Sequence, residues 1–384
     1  MDHIETVVAL DAFIRVAGFV RGGTRAVLCC ENGTVYVCDV RSGRATRFKI
    51  KSGVRYADFS PDGNEIIAAY DQTNQKRYSL ETGQFLSDEH TTMSRYTGSN
   101  EYLYSPNSRY FVTFLGQNII FVYDMHVAGP HEPARLEIPG HQNVYSARFS
   151  PDGRRLFVAQ RDGTIAVIDT SAASARDWRL TGRLDNPVER AAPNAVMRRF
   201  QMAMSQDGST LCVSVIASRS HEDFNNEINI VRVYKFNADG SLKRSYEKMG
   251  NNKREFYKPD NSHLTLSPKG SYAAEGFVKQ GHNGRNEIHI YDTATWSLRR
   301  VVPFEASDHF IMADIMFSAD TRKLYFATSF GNVKFVYLYG AFHDAILASL
   351  GHPVWSDFFV RDDGDGAHVT RVASMVGIGG IQQE

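Results

Sequence analysis

Six basic side chains, Lys243, Arg244, Lys248, Lys253, Arg254 and Lys258, fall within one 16-residue stretch, with Tyr246, Phe256 and Tyr257 between them. Cations interleaved with rings are what single-stranded nucleic acid requires, because the charges hold phosphates while the rings stack bases. Arg190, Arg198 and Arg199 would extend such a surface. Against this, 43 basic residues are matched by 43 acidic ones, so no global field draws the chain toward a polyanion. The stretch is therefore read first as a solvated strand edge and loop, next as a protein-contact surface, and last as a nucleic-acid surface.

Other chemistry is harder to place. The chain has no Gly-x-Ser-x-Gly elbow, no Walker loop and no dinucleotide glycine fingerprint. Its thirteen histidines include no His-x-x-x-His pair, and His221-Glu222-Asp223 reads as a solvated hairpin tip. Asp362-Asp363-Gly364-Asp365-Gly366 is like a calcium loop but too short, and it lacks the closing bidentate glutamate. Asp58, Glu101, Arg148, His263 and Asp314 are expected to face a central channel, but this mixture of signs and types does not form a metal or cofactor ring. No catalytic residue, cofactor or metal is therefore assigned.

These residues need elements to position them, and a repeat supplies the elements. Phe149-Ser150-Pro151-Asp152-Gly153 recurs as Phe59-Ser60-Pro61-Asp62-Gly63, Tyr104-Ser105-Pro106-Asn107-Ser108, Met204-Ser205-Gln206-Asp207-Gly208, Leu266-Ser267-Pro268-Lys269-Gly270 and Phe317-Ser318-Ala319-Asp320, with a degenerate first copy, Phe19-Val20-Arg21-Gly22-Gly23. Aligned on the serine, successive copies lie 40, 45, 45, 55, 62 and 51 residues apart. A large apolar residue closes one strand, and the Ser-Pro-Asp-Gly turn reverses the chain. Then come a second apolar strand, a polar turn and an alternating third strand such as Thr164–Ile168 or Ile119–Tyr123. The shorter periods match a four-stranded propeller blade, so the fold class is all-β, a seven-bladed β-propeller of antiparallel blades. Seven blades form one domain, which overrides the multi-domain expectation from 384 residues.

Blade 4 carries Gly140-His141 before the phrase, the turn Arg161-Asp162-Gly163, and the ending Ile168-Asp169. In these features the chain resembles the WD-repeat propeller family, whose blades carry a Gly-His pair, an Asp-bearing turn and a Trp-Asp ending. The ending also appears as Cys38-Asp39, Tyr123-Asp124 and Tyr291-Asp292, and becomes Tyr234-Lys235 and Tyr337-Leu338 elsewhere. The Ser-Pro-Asp-Gly phrase is shared with lactonase-like, TolB-like and quinoprotein propellers.

Two segments fall outside the repeat. Residues 1–11 contain an apolar strand without a blade of its own, and pairing with the Val333–Tyr339 strand would let it close the ring. Residues 341–384 form a C-terminal extension too apolar for a solvated tail, with Trp355, Phe358, Phe359, Met375 and Ile378. It packs on the propeller of residues 1–340 or docks into another chain. Long insertions near 185–198, 217–226, 250–262 and 279–286 crowd the blade 5 and 6 region. Cys29, Cys30, Cys38 and Cys212 sit in expected core strands as small hydrophobes.

The expected function is a non-catalytic protein-interaction scaffold, a propeller subunit of a larger assembly with one or more protein partners. The candidate contact residues are the loop set Arg190, Arg198, Arg199, Lys253, Arg254, Phe256 and Tyr257, and the five apolar residues of the extension. No membrane contact or small-molecule substrate is expected, since no run approaches about 18 apolar residues. An N-terminus without a signal pattern points to the cytoplasm. The alternatives are a propeller enzyme acting on a small metabolite at the channel mouth, in the manner of a lactonase, and an RNA-associated propeller.

Overall fold

The computed structural model describes residues 4–9, 13–70, 74–89, 102–114, 118–127, 132–139, 144–160, 162–184, 196–218, 228–249, 263–277, 286–304, 312–328 and 332–338. They form seven four-stranded antiparallel sheets. Six of these take their strands in chain order; blade 4, for example, runs Val144–Phe149, Arg155–Gln160, Ile165–Asp169 and Arg179–Leu184. In the seventh sheet the order is Met312–Phe317, Lys323–Thr328, Asn332–Tyr337, and then Ile4–Ala9 from the other end of the chain. Ile4 pairs with Val336 and Ala9 with Asn332. First strands touch first strands at blades 7 and 1, 1 and 2, and 4 and 5, placing them around the axis.

Strand alternation explains the packing. Residues two apart share a face, so each blade offers apolar side chains to both neighbours. Among the described residues the core divides into seven apolar clusters, one at each blade-to-blade junction. Adjacent cysteines separate as alternation requires: Cys29 joins the cluster between blades 1 and 2, and Cys30 the one between blades 7 and 1. At the junction of blades 3 and 4 the buried Trp178 meets Tyr110 and Phe149 edge-on, with ring centroids 4.9 and 6.0 Å apart.

The repeated phrase is the turn between the first and second strands, and its serine is its centre. In blade 4 the buried Ser150 Oγ donates to the Asp152 carboxylate and accepts from the Arg155 N–H at 2.9 Å. The Gly153 N–H closes the turn on the Ser150 carbonyl at 2.8 Å. Ser60, Ser105, Ser205 and Ser318 make the same pair of bonds, with Asn107 standing in for the aspartate in blade 3. Neighbouring turns also interlock. The Arg21 N–H donates to the Pro61 carbonyl at 2.8 Å, the Asp62 N–H to Ser108 Oγ at 3.1 Å, and the Asp207 N–H to the Pro268 carbonyl at 3.1 Å.

The third residue after the serine must be left-handed. Glycine serves at Gly63, Gly153, Gly208 and Gly270, but blade 7 places Thr321 there with φ 61°. A β-branched residue is strained in this region. Thr321→Gly should therefore stabilise the protein by about 1 kcal/mol. Thermal unfolding reads this as a raised midpoint, and Thr321→Ala, which keeps a Cβ, should give little of the gain.

Candidate interaction surface

First strands end, second strands begin and third strands end on one face of the ring. That face therefore gathers all the Ser-Pro-Asp-Gly turns and all the turns into the outer strands. The aspartate ending the third strand organises the second kind. In blade 1, Asp39 Oδ1 accepts from the Ser42 N–H at 2.7 Å, the Ser42 hydroxyl at 2.8 Å and the Arg41 N–H at 3.1 Å. Those bonds, led by Ser42, hold its carboxyl below the usual range. In blade 6, burial works against ionisation of Asp292, but the Arg299 guanidinium and the N–H groups of Thr295 and Ala294 outweigh it and hold its carboxyl low. Blade 2 has Ser79 in place of the aspartate, its hydroxyl accepting from the Glu81 and Thr82 N–H groups at 3.3 and 3.2 Å. In blade 5, Lys235 bridges to the next blade instead, donating to Thr210 Oγ1 at 2.7 Å and the Gly270 carbonyl at 3.1 Å.

A cavity of about 670 Å³ opens on this face where blades 3, 4 and 5 meet. Arg109, Tyr110, Asp152, Arg155, Asp169 and Asp239 are among its walls. Most of these charges are already engaged. Arg109 pairs with Asp124 at 2.8 Å, Arg155 donates to the Gly240 carbonyl, and Asp169 accepts from the Ser171 N–H at 2.9 Å.

In the channel, Asp58, Arg148 and Asp314 are where the alternation of the first strands puts them, half-buried. Each ties its blade to the next. Asp58 accepts backbone N–H groups of Phe59 and of Tyr104 in blade 3. Asp314 accepts from Ile315 at 2.8 Å and from Phe19 of blade 1 at 3.2 Å. Arg148 Nε donates to the Met202 carbonyl of blade 5 at 3.0 Å. Burial lifts both carboxyls to about 7, although the Arg148 guanidinium opposes the rise. The cysteines are buried, and burial pushes Cys29 up to about 12 and Cys30 and Cys38 to about 11, far from a thiolate nucleophile. Among the described residues, no group of three or more His, Cys, Asp or Glu could hold a metal ion, and no helix is long and apolar enough to cross a membrane.

Of the candidate contact residues, Arg198 and Arg199 lie in blade 5's first strand, Val196–Met204, which the register shows starting inside the expected connection. Arg198 falls at a bulge between the pairs Met197–Ala217 and Arg199–Ile216. Arg190, Lys253, Arg254, Phe256, Tyr257, Trp355, Phe358, Phe359, Met375 and Ile378 lie outside the described residues, as do Glu101, His141, His221 and the Asp362–Gly366 loop. The basic stretch is described as far as blade 5's outer strand, Leu242–Met249. There the exposed Arg244 lies over the Tyr246 ring at 5.9 Å, and the Tyr246 hydroxyl donates to the Thr293 carbonyl of blade 6.

Sequence reasoning passed over Trp296, three residues beyond that carbonyl. The spacing Asp39 to Gly43, Ser79 to Gly83 and Asp292 to Trp296 would have found it, because the third member breaks a glycine rule kept by the first two.

The family model for the WD domain, G-beta repeat, matches residues 134–169, which span blade 3's outer strand and blade 4's first three strands. The chain is 29% identical over 129 residues to the LEC14B homolog of Prunus armeniaca, a match covering 30% of this chain and 27% of that protein's length. The beta-propeller domain of Cps50 (Swd1) from Myceliophteria thermophila superposes with a TM-score of 0.60 at 14% identity, over 87% of this chain and 99% of that one. The repeated turns, the seven sheets and the structural likeness agree that the chain is a seven-bladed β-propeller, and its fourth blade is similar to the WD repeat.

Proposed function

We propose that the protein is a non-catalytic interaction scaffold, a rigid subunit of a larger cytoplasmic protein assembly. The observation that carries this reading is the state of the channel charges. Asp58, Arg148 and Asp314 converge where a propeller enzyme would keep its reacting groups, yet each is engaged with the backbone of the next blade. They fasten the frame. A preformed frame lowers the ordering cost of binding, which suits a docking role. Arg198 and Arg199 of blade 5's first strand, the residues Arg190, Lys253, Arg254, Phe256 and Tyr257, and Trp355, Phe358, Phe359, Met375 and Ile378 of the extension are proposed as partner contacts. The extension and the ring of residues 1–340 are taken as separate functional units.

The test is native purification with mass spectrometry of whatever travels with the full chain. A stoichiometric protein partner is expected, and truncation at Pro353 should release it. If every partner stays bound to the truncated chain, the extension has no part in docking. If no protein travels with the chain and a small metabolite is retained instead, the scaffold reading falls in favour of channel chemistry. Retention of nucleic acid that weakens steeply with salt would favour the RNA reading.

A further inference from the structure

The turn from third to outer strand is built alike in blades 1, 2 and 6. The N–H of its fifth residue donates to the carbonyl of its first: Gly43 to Asp39 at 2.9 Å, Gly83 to Ser79 at 2.9 Å, and Trp296 to Asp292 at 2.7 Å. In all three the fifth residue is left-handed, with φ of 70°, 71° and 54°. Glycine takes that conformation without cost, whereas a bulky side chain is an outlier there. Blade 6 nonetheless puts one of the chain's three tryptophans in the position.

Its surroundings form a connected surface. The Trp296 ring stacks on Tyr291 at 4.8 Å with planes 5° apart, half-buried against the blade 5–6 core. Leu298, paired with Tyr291, begins blade 6's outer strand at 50% exposure. Arg244 and Tyr246 join the two blades through the bond to Thr293. Tryptophan, tyrosine and arginine are the residues enriched at protein-binding hot spots.

Charge selects the partner. Asp292 is neutralised by Arg299 and Glu247 by Arg232, while Asp239 keeps its charge but lines the cavity where blades 3, 4 and 5 meet. Lys243 and Arg244 are exposed and have no carboxylate partner among the described residues. The surface thus presents an apolar centre with an unbalanced positive edge. Resting on the scaffold reading, we infer that the blade 5–6 edge around Trp296 is a docking site for a linear segment of a partner protein carrying a leucine or aromatic side chain flanked by Asp or Glu. Nucleic acid fits less well, because the exposed Leu298 offers nothing to phosphate or ribose.

The test selects random displayed linear peptides on the full chain, then synthesises one winner with a fluorescent label for anisotropy titration. Selected peptides should be rich in Asp and Glu around Leu, Phe or Trp. Replacing their acids with Asn and Gln should weaken binding about tenfold. Trp296→Gly should weaken it at least as much, with glycine's ease in the left-handed turn offsetting part of the packing lost against Tyr291 and the blade 5–6 core. Arg244→Glu leaves the turn intact and should by itself weaken binding about tenfold. The proposal is overturned if no acidic–apolar sequence is enriched, if Arg244→Glu binds normally, or if an oligothymidylate binds where no peptide does. It is also overturned if Trp296→Gly lowers the midpoint while leaving peptide affinity intact, since Trp296 would then be core alone. A negative result here leaves the scaffold reading standing wherever the native preparation yields a stoichiometric partner.

Discussion

Deleting residues 1–11 should cost the protein on the order of 3–5 kcal/mol, taking each lost inter-strand bond at about 1 kcal/mol. The strand Ile4–Ala9 is the outer member of the seventh sheet and ties blade 7 to the segment that precedes blade 1. Without it the strand Asn332–Tyr337 becomes an unpaired edge, a template for pairing with other chains. Such a loss is a large part of the 5–15 kcal/mol that typically separates folded from unfolded states. The measurements are the thermal midpoint and light scattering on heating. A lower midpoint with aggregation is expected, and a synthetic peptide of residues 1–11 added in trans should reverse both. Unchanged melting of the shortened chain would show that another segment supplies the fourth strand.

Stability should also fall as pH rises from about 5 to about 8, by on the order of 2 kcal/mol once water in the channel is allowed for. Asp58 and Asp314 have folded-state values near 7, lifted by burial from 3.8. Between those values the folded protein holds protons that the unfolded chain has released. The contribution is therefore fully present below the unfolded value and lost as pH passes through 7. The turn aspartates act in the opposite direction and lower down: Asp39, Asp124, Asp169 and Asp292 are held below their usual range, so their contribution disappears only in acid. Melting of the wild type and of the Asp58→Asn, Asp314→Asn double variant at pH 5 and pH 8 checks the assignment. The amides can still accept the N–H bonds, so the variant should fold with a flatter pH profile. An unchanged profile would place the titrating groups elsewhere.

The fold was legible because one local rule repeats. A serine that must hold its own turn together, followed by a residue that must be left-handed, leaves a mark at six of the seven blades, and the left-handed Gly23 marks the first, so the spacing of those marks counts the blades. Cysteine placement followed from alternation alone. The candidate contacts were less legible for a physical reason. Residues outside the repeat, such as Arg190 or Phe256, answer to no periodicity in the sequence, so composition can mark them as interesting without saying what they touch. Ser79 went unnoticed because a hydroxyl can do an aspartate's capping work without matching its letter. Trp296 went unnoticed because its meaning lies in a backbone angle, visible only when three equivalent turns are compared.

The seam in the last sheet also sets a schedule. Val336 leaves the ribosome roughly 330 residues after its partner Ile4. At roughly 5–20 residues per second, that strand waits on the order of 15–70 s for its place. During that time the first six blades can pair internally, but the ring cannot shut, and two edges lie open at once. Protein yield in cells should therefore depend on elongation speed and on chaperones that shield β-edges, more than the finished protein's equilibrium stability would suggest.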